Sequence, residues 1–180
     1  MSAAGFFFDR DGTLIEHVHY LHEPARVRIL PGVADALRTF REAGHRLFLF
    51  TNQSGVGRGM FPLEDALACN ARMLELMGLP EDFWDDVCTA PEAPDQHQRY
   101  RKPSPRFVLE SMEKFSLNSE ACQVLGDRWS DAQAGLNAGV RAALLESGLP
   151  LDEEIRSRAA EHDVPVYPDI SAFAASLPFS

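Results

Sequence analysis

The sequence predicts an α/β fold, namely a Rossmann-like, doubly wound parallel sheet flanked by helices. Short apolar runs of strand length alternate with longer segments whose apolar residues recur at helical spacing. This alternation is typical of a parallel sheet that is covered on both faces. Right-handed crossovers then restrict how such strands can be connected. The strand-like runs lie at about 5–8, 46–50, 86–89, 123–125 and 141–145, with a shorter one at 164–167.

The helix predictions depend on residues that begin or end helices. Pro31 suits the first position of the first helix, and Gly44 suits the position just after its end. Apolar residues between them recur at helical spacing and are expected to face the sheet. These residues are Val33, Ala36, Leu37 and Phe40. The other helices are predicted at about 62–77, from Ser104 onward, at about 130–138, and within 152–175, which is also expected to hold a final turn.

Composition limits the kind of protein. A length of 180 residues suits one domain, predicted to span residues 1–180, as a monomer or a small homo-oligomer. A net charge of -10 argues against binding to nucleic acid or to an anionic membrane. The three cysteines, Cys69, Cys88 and Cys122, are odd in number and widely spaced, which favours a reducing cytoplasm over a disulfide framework. No basic region precedes the apolar 6–8 run, which predicts a strand rather than a signal peptide.

Four polar motifs follow strand-like runs or begin helices. Because the carboxyl ends of parallel strands meet at one edge of a sheet, we expect the four motifs to lie together. The motifs are Asp9-Arg10-Asp11-Gly12-Thr13, Thr51-Asn52-Gln53-Ser54-Gly55, Arg101-Lys102-Pro103 and Gly126-Asp127 followed by Asp131. Each motif alone is weak evidence, since turns and solvated lysines are common. Their order along the chain indicates a single site for phosphoryl transfer.

The acidic residues of these motifs predict a magnesium site. Asp9 and Asp11 are two residues apart at the end of a buried strand, where two carboxylates repel unless a cation lies between them. Asp127 adds a third acidic group from another strand end. Mg²⁺ prefers one or two carboxylates together with a carbonyl, waters and a substrate phosphate. A calcium-binding EF-hand loop is disfavoured, because it needs its glycine at the sixth position and a helix before it, whereas here a strand precedes the motif.

The remaining motif residues suit the chemistry of a phosphoryl group. One aspartate can attack phosphorus and form an aspartyl-phosphate, while the second transfers protons. The developing charge needs fixed donors, for which the Thr51 hydroxyl, the Asn52 backbone N–H and the Lys102 ammonium are the candidates. Gly12 lets the backbone approach the phosphate closely.

These motifs resemble those of haloacid dehalogenase-superfamily phosphatases, and the resemblance covers roughly residues 6–145. It implies a core domain with a minimal cap and a role for each matched residue. These roles are Asp9 as nucleophile, Asp11 as general acid and base, Thr51 and Lys102 as phosphate binders, and Asp127 as magnesium ligand supported by Asp131. The resemblance also implies that the Asp11 backbone carbonyl, together with the Asp9 carboxylate, reaches the metal.

The finer pattern is similar to a subgroup that holds heptose bisphosphate phosphatases and histidinol-phosphate phosphatases. That subgroup commonly carries a zinc-bound loop of one cysteine, one histidine and a Cys-x-Cys pair. Here Cys88 remains, but Ala90, Gln98 and Tyr100 stand in the other places. Too few ligands are left for a tetrahedral zinc site, so zinc is not expected. The loop at 90–101 is expected to take the place of the zinc loop.

A long loop at about 16–30 follows the first motif and is expected to act as a flap over the substrate. In the subgroup, an asparagine and an acidic residue usually stand where this chain has Ile15 and His17. Arg101 can grip a second anionic group, which suits a substrate with two charges, whereas Arg58 contacts substrate or covers a helix end. The predicted substrate and phosphate contacts are Arg10, Gly12, His17, His19, Tyr20, Asn52, Gln53, Ser54, Arg58, Arg101 and Arg128.

The sequence as a whole predicts a cytoplasmic, magnesium-dependent phosphatase of a small phosphorylated metabolite. The resemblance favours a sugar bisphosphate such as D-glycero-D-manno-heptose 1,7-bisphosphate. Histidinol phosphate or another phosphomonoester is the alternative substrate. Phosphomutase activity is disfavoured because 180 residues leave little room for a cap that excludes water. The alternative from another class is a non-catalytic metal-binding scaffold.

Overall fold

Six strands form one parallel sheet in the computed structural model, which describes residues 4–177. The strands are β1 (Gly5–Phe8), β2 (Arg46–Asn52), β3 (Asp86–Ala90), β4 (Cys122–Gly126), β5 (Arg141–Leu145) and β6 (Val166–Tyr167). Their order across the sheet is β3-β2-β1-β4-β5-β6. The five main strand predictions are confirmed, with shifts of one or two residues at some ends. The last strand is shorter than predicted, because only 166–167 pair with β5.

Helices cover both faces of the sheet. They are α1 (Val33–Glu42), α2 (Ser54–Gly57), α3 (Leu63–Met77), α4 (Arg106–Phe115), α5 (Trp129–Asn137), α6 (Glu153–Glu161) and α7 (Ile170–Ser176). The predicted start of α1 at Pro31 is wrong, because Gly32 caps this helix in a left-handed conformation with φ of 75°. Likewise α4 begins at Arg106 instead of Ser104. The short α2 was not predicted, and α7 stands where a final turn was expected.

Alternate residues of β1 divide the core between the two faces. Phe6 and Phe8 pack into an apolar cluster together with α1, α3 and α7, whereas Phe7 points to the opposite face, beneath α4 and α5. There the Phe7 and Phe48 rings stack with centroids 4.4 Å apart. Aromatic rings of this size contribute a large share of the buried apolar area. The central strand is thereby buried on both faces, as its continuous hydrophobic run predicts.

The sheet order reverses between β1 and β4, and this point locates the site. From β1 the chain adds β2 and β3 on one side, and it then returns to place β4, β5 and β6 on the other. In doubly wound sheets, the loops diverge at such a switch point and leave a crevice at the carboxyl ends of the strands. Among the described residues, no helix is both long and apolar enough to cross a membrane.

The loop after β1 folds back over this crevice as a flap. An antiparallel bridge joins Ile15 to Ile29, and the backbone N–H of Glu16 donates to the Arg28 carbonyl at 2.9 Å. Leu21 is buried in the core between these ends. The flap is thus fixed at its base, and the buried side chains of Leu21 and Val27 anchor it in the core.

Candidate active site

The four motifs meet in one cleft of about 310 Å³ at the carboxyl edge of the sheet. Most of the predicted site residues line it. They are Asp9, Asp11, His17, His19, Tyr20, Asn52, Gln53, Ser54, Arg58, Arg101, Lys102, Arg128 and Asp131. Sequence reasoning missed further lining residues. These are Val18, Leu21, Gly55, Pro94 and Ser130.

Three carboxylates and one ammonium group form what we call the floor: Asp9, Asp131 and Lys102 line the cleft, and Asp127 is buried beside them without lining it. Asp9, Asp127 and Asp131 are buried, and each offers an oxygen within 4.8 Å of the others. The Lys102 Nζ lies 2.7 Å from Asp9 Oδ1 and 2.6 Å from Asp131 Oδ1. Burial lowers the pKa of Lys102, but the two carboxylates outweigh burial, so the net shift is upward and the group stays charged.

Asp127 is the member of this cluster that lacks a partner. Both of its carboxylate oxygens are buried, and neither has a hydrogen-bond partner among residues 4–177. Burial, together with the neighbouring Asp9 and Asp131 carboxylates, raises the pKa of Asp127 to about 8. Buried polar atoms without a partner are rare in native proteins and call for an explanation. A hard divalent cation such as Mg²⁺ fits this set of carboxylate oxygens.

Two glycines pack closely against the Asp127 carboxylate. A Cβ atom at either Gly12 or Gly148 would lie 2.2 Å from Asp127 Oδ2, closer than any real contact allows. Gly12 has a φ of 81°, which suits glycine for a second reason. The Ser147 hydroxyl donates to the Gly12 carbonyl at 3.0 Å and ties the loop after β5 to the first motif. Gly148 was not predicted, although its place just after β5 puts it at the same edge.

Asp11 lies above the floor, and its carboxylate is held by two neighbours. Gln53 Nε2 donates to Asp11 Oδ2 at 2.8 Å, and Arg10 forms an ion pair with the same carboxylate at 3.0 Å. Burial raises the pKa of Asp11, although Arg10 opposes the shift. A carboxyl group in this environment holds a proton more tightly than an exposed aspartate does, which suits a general acid.

The side chain of Arg10 does not reach the cleft, so its predicted role as a substrate contact is corrected. It is fully buried and donates to Asn70 Oδ1 at 2.9 Å and to the Ala66 carbonyl at 3.2 Å, both in α3. Such a guanidinium cannot bind a ligand without leaving these partners uncompensated. Its place explains instead why Asp11 keeps one orientation.

In the second motif, Thr51 and Asn52 have different surroundings. Thr51 is fully buried below the cleft, and its hydroxyl accepts from Gln53 Nε2 at 2.9 Å. Asn52 faces the third motif, where its Oδ1 accepts from the Lys102 N–H at 2.9 Å and its Nδ2 donates to the Lys102 carbonyl at 3.2 Å. Asn52 therefore fixes the backbone of the lysine that contacts Asp9.

Three guanidinium groups line the outer part of the cleft, and we call them the arginine cluster: Arg58, Arg101 and Arg128. Within residues 4–177, none of the three forms an ion pair with a carboxylate. Burial lowers the pKa of Arg101, and Arg58 and Arg128 lower it further, although Glu92 opposes the shift. Cations that repel one another in this way favour an anionic ligand.

The flap contributes the predicted aromatic residues to the cleft. His17, His19 and Tyr20 all line it, and the His19 and Tyr20 rings lie 4.1 Å apart. Tyr20 adopts a left-handed φ of 51°. The Nδ1 atom of His17 is buried and has no hydrogen-bond partner in the described part of the chain. These side chains form one wall of the cleft, where the Tyr20 ring packs against Gly55 of the second motif.

The segment at 90–101 lies beside the cleft. Cys88 precedes it, in the middle of β3, and burial raises the pKa of its thiol to about 12, so the thiolate is disfavoured. Among residues 4–177, the side chains of Asp9, Asp127 and Asp131 are the grouping of histidine, cysteine or acidic residues close enough to hold one ion. Cys88 is not part of it.

Comparison with known proteins agrees with this geometry. The family described as haloacid dehalogenase-like hydrolase matches residues 23–139. A D-glycero-beta-D-manno-heptose-1,7-bisphosphate 7-phosphatase from Rhodopseudomonas palustris is 35% identical over 141 residues, covering 74% of this chain and 78% of that protein. A protein of the same name from Yersinia pestis is 32% identical and covers 85% and 86%.

The fold comparison leads to the same family. The D,D-heptose 1,7-bisphosphate phosphatase of B. bronchiseptica, whose crystal structure contains magnesium and phosphate, superposes with a TM-score of 0.82 at 25% identity over 96% of both chains. The family and the parallel fold that the motifs indicated are thus confirmed. The chain belongs to the haloacid dehalogenase-like hydrolase family, in a branch whose relatives are phosphatases.

Proposed function

We propose that this protein is a magnesium-dependent phosphatase of a sugar bisphosphate, such as D-glycero-D-manno-heptose 1,7-bisphosphate. The observation that carries the proposal is the presence of two separate anion-binding regions in one cleft. The carboxylate and lysine floor suits a phosphoryl group under attack, and the arginine cluster suits a second phosphate. The names of the relatives support the same substrate class.

The floor residues and Asp11 supply the chemistry. An oxygen of Asp9 attacks phosphorus, the bond from phosphorus to the sugar oxygen breaks, and Asp11 donates its proton to that oxygen. The Asp11 carboxylate then takes a proton from water, whose oxygen attacks phosphorus; the bond from phosphorus to the Asp9 oxygen breaks, which releases inorganic phosphate and restores the Asp9 carboxylate. Lys102 orients Asp9 through their 2.7 Å contact and lowers the negative charge that phosphate must approach.

Asp9 and Asp127 would hold the magnesium ion, together with the Asp11 backbone carbonyl. The partnerless oxygens of Asp127 support this assignment. Asp131 takes a supporting role, because its oxygens already contact Lys102 Nζ at 2.6 Å and the Arg128 N–H at 2.9 Å. When bound, the ion would offset the charge of the carboxylates and of the transferring phosphoryl group.

The arginine cluster and the flap would recognise the rest of the substrate. Arg58, Arg101 and Arg128 offer planar donors that match the geometry of a second phosphate. His17, His19 and Tyr20 would contact the sugar, and the backbone at 52–54 would donate to the phosphoryl group. Histidinol phosphate fits less well, since its cationic end would face the same arginines.

The setting that we propose follows from charge and cysteine content. The net charge of -10 supports a small metabolite over nucleic acid as ligand. Three free buried cysteines support a reducing cytoplasm. Because Cys88 is buried and unfavourable as a thiolate, activity is expected without zinc.

The test is phosphate release from a panel of heptose bisphosphate, heptose monophosphate, histidinol phosphate and a 3′-phosphorylated oligonucleotide. Each substrate is assayed with Mg²⁺ and again with excess chelator. We expect magnesium-dependent release that is fastest with the bisphosphate. Preference for histidinol phosphate would move the assignment to the alternative substrate. Release from none of them by folded protein that binds Mg²⁺ would favour a non-catalytic scaffold.

A further inference from the structure

The segment between β3 and Lys102 is closed by a single carboxylate. Glu92 Oε1 accepts hydrogen bonds from the Arg99 N–H at 3.0 Å and from the Tyr100 N–H at 2.7 Å. Burial raises the pKa of Glu92, but the backbone N–H groups that surround it outweigh burial and lower it overall. One charged acceptor therefore joins the start of this segment to its end, seven and eight residues later.

The same residue also touches the arginine cluster. The backbone carbonyl of Glu92 accepts from Arg101 Nη1 at 3.3 Å. The side chain of Glu92 thus binds the backbone just before Arg101, and its carbonyl binds the Arg101 guanidinium. Within residues 4–177, Arg101 has no carboxylate within ion-pair distance. Its guanidinium thus keeps most of its donors for a ligand in the cleft.

A second set of bonds connects this segment to the loop that bears Arg58. The Gly57 N–H donates to the Pro91 carbonyl at 2.9 Å, and Gln96 Nε2 donates to the Gly57 carbonyl at 3.1 Å. Gln96 is fixed in turn, because its Oε1 accepts from the Ala93 N–H at 2.9 Å. Two members of the arginine cluster are therefore placed by one hydrogen-bonded unit.

Lys102 is anchored independently of this unit. Its backbone is held by Asn52 at both the N–H and the carbonyl, and its ammonium by Asp9 and Asp131. Disturbing Glu92 should therefore move the arginines without moving the lysine. The two anion-binding regions of the cleft have separate supports.

We propose that Glu92 is a positioning residue that sets affinity for the second anionic group of the substrate, through the placement of Arg101. The inference rests on the proposed function in that it takes the substrate to carry two phosphates. The carboxylate orders the segment through its hydrogen bonds to the Arg99 and Tyr100 N–H groups.

The test compares heptose 1,7-bisphosphate with p-nitrophenyl phosphate, which has a single phosphoryl group, as substrates of Glu92→Ala and Glu92→Gln. For Glu92→Ala we expect the KM for the bisphosphate to rise roughly tenfold, the equivalent of one lost charged hydrogen bond. Its kcat and the hydrolysis of p-nitrophenyl phosphate should change far less. Glu92→Gln keeps an oxygen acceptor and should recover part of the affinity. Asp95→Asn, the same charge change at an exposed site of the segment, is the matched control.

Binding to the Asp9→Asn protein, measured by calorimetry with and without Glu92→Ala, separates this inference from the proposed function. A selective loss of bisphosphate affinity supports the inference even if no turnover is found with any substrate. Equal loss on both compounds overturns it, because Glu92 would then serve only the general structure. An unchanged bisphosphate affinity in Glu92→Ala overturns it as well.

Discussion

The floor of the cleft and the arginine cluster above it handle charge in opposite ways. On the floor, Lys102 lies between Asp9 and Asp131, and every one of these groups is buried. In the cluster, the guanidinium groups of Arg58 and its neighbours form no ion pair with a carboxylate within residues 4–177. On the floor, the protein pairs most charges with opposite charges of its own, and Asp127 is the exception. The positive charges of the cluster, in contrast, depend on an anionic ligand for neutralisation.

This difference suggests that the floor carries out the reaction and that the arginine cluster recognises the substrate. Buried ion pairs fix geometry, because removing either partner leaves a charge in a medium of low dielectric constant. Half-exposed arginines on loops can adapt to the ligand at less cost. Substitutions on the floor should therefore affect catalysis on every substrate, and substitutions in the cluster should affect affinity for substrates with two charges.

The largest effect is expected from Asp9→Asn. Asparagine is nearly the same size but a far poorer nucleophile, so turnover should fall by at least about 10³-fold on every substrate. Thermal unfolding followed by circular dichroism should show that the fold is kept. Appreciable phosphate release by this variant would reject Asp9 as the nucleophile.

A smaller but still severe loss is expected from Gly148→Ala. The added methyl group would overlap Asp127 Oδ2 and approach the Gly12 Cα, which stands 2.8 Å from the ideal Cβ position. We expect Mg²⁺ affinity and kcat to fall by roughly 10- to 100-fold, on the scale of about 1–3 kcal/mol for overpacking. Isothermal titration with Mg²⁺ measures this loss. Leu149→Ala, at the exposed neighbour, should leave the affinity unchanged.

Arg58→Met tests whether the arginine cluster binds the second phosphate of the substrate. The KM for a sugar bisphosphate should rise roughly tenfold, because one charge-assisted hydrogen bond to the second phosphate is lost. The kcat for p-nitrophenyl phosphate, which has no second phosphate, should stay within about twofold. Steady-state kinetics with both substrates measure these values of KM and kcat. Arg72→Met on the outer surface of α3 is the control. An equal loss on both substrates would mean that Arg58 serves the floor instead.

The smallest expected effect concerns the stability of the metal-free protein. Because the pKa of Asp127 is raised to about 8, the folded protein binds this proton more tightly than the unfolded chain does. The contribution of Asp127 to stability therefore decreases as pH rises from about 4 to about 8. In chelator, the Tm should be lower at pH 8 than at pH 6, and Asp127→Asn should reduce that difference. An Asp127→Asn protein with the same pH dependence would contradict this account.

Much of the fold and the floor of the site could be predicted, because both depend on local patterns. The apolar run at 5–8 predicts a buried strand by itself, and the residue that follows it must lie at the carboxyl edge of the sheet. Asp9 and Asp127 therefore come together through strand pairing alone, since β1 and β4 are neighbours. Lys102 could be assigned to the same site because its motif follows the second one in the expected order along the chain.

The predictions fail where the outcome depends on one backbone angle or one distant partner. Because Gly32 caps α1 in a left-handed conformation, Val33 and not Pro31 takes the first helical position. No residue near Arg10 in the sequence indicates that its guanidinium donates to Asn70, 60 residues away, instead of to a substrate.

Periodicity and strand ends are local properties, so the order of strands and motifs along the chain, and hence the class of chemistry, can be inferred without a structure. Three contacts could be found only in the folded chain: Gly148 against Asp127, Arg10 against Asp11, and Glu92 against Arg101. These contacts depend on how loops from different strands pack against one another. Their energies come from the exclusion of water and from hydrogen-bond geometry in three dimensions, which no short stretch of sequence encodes.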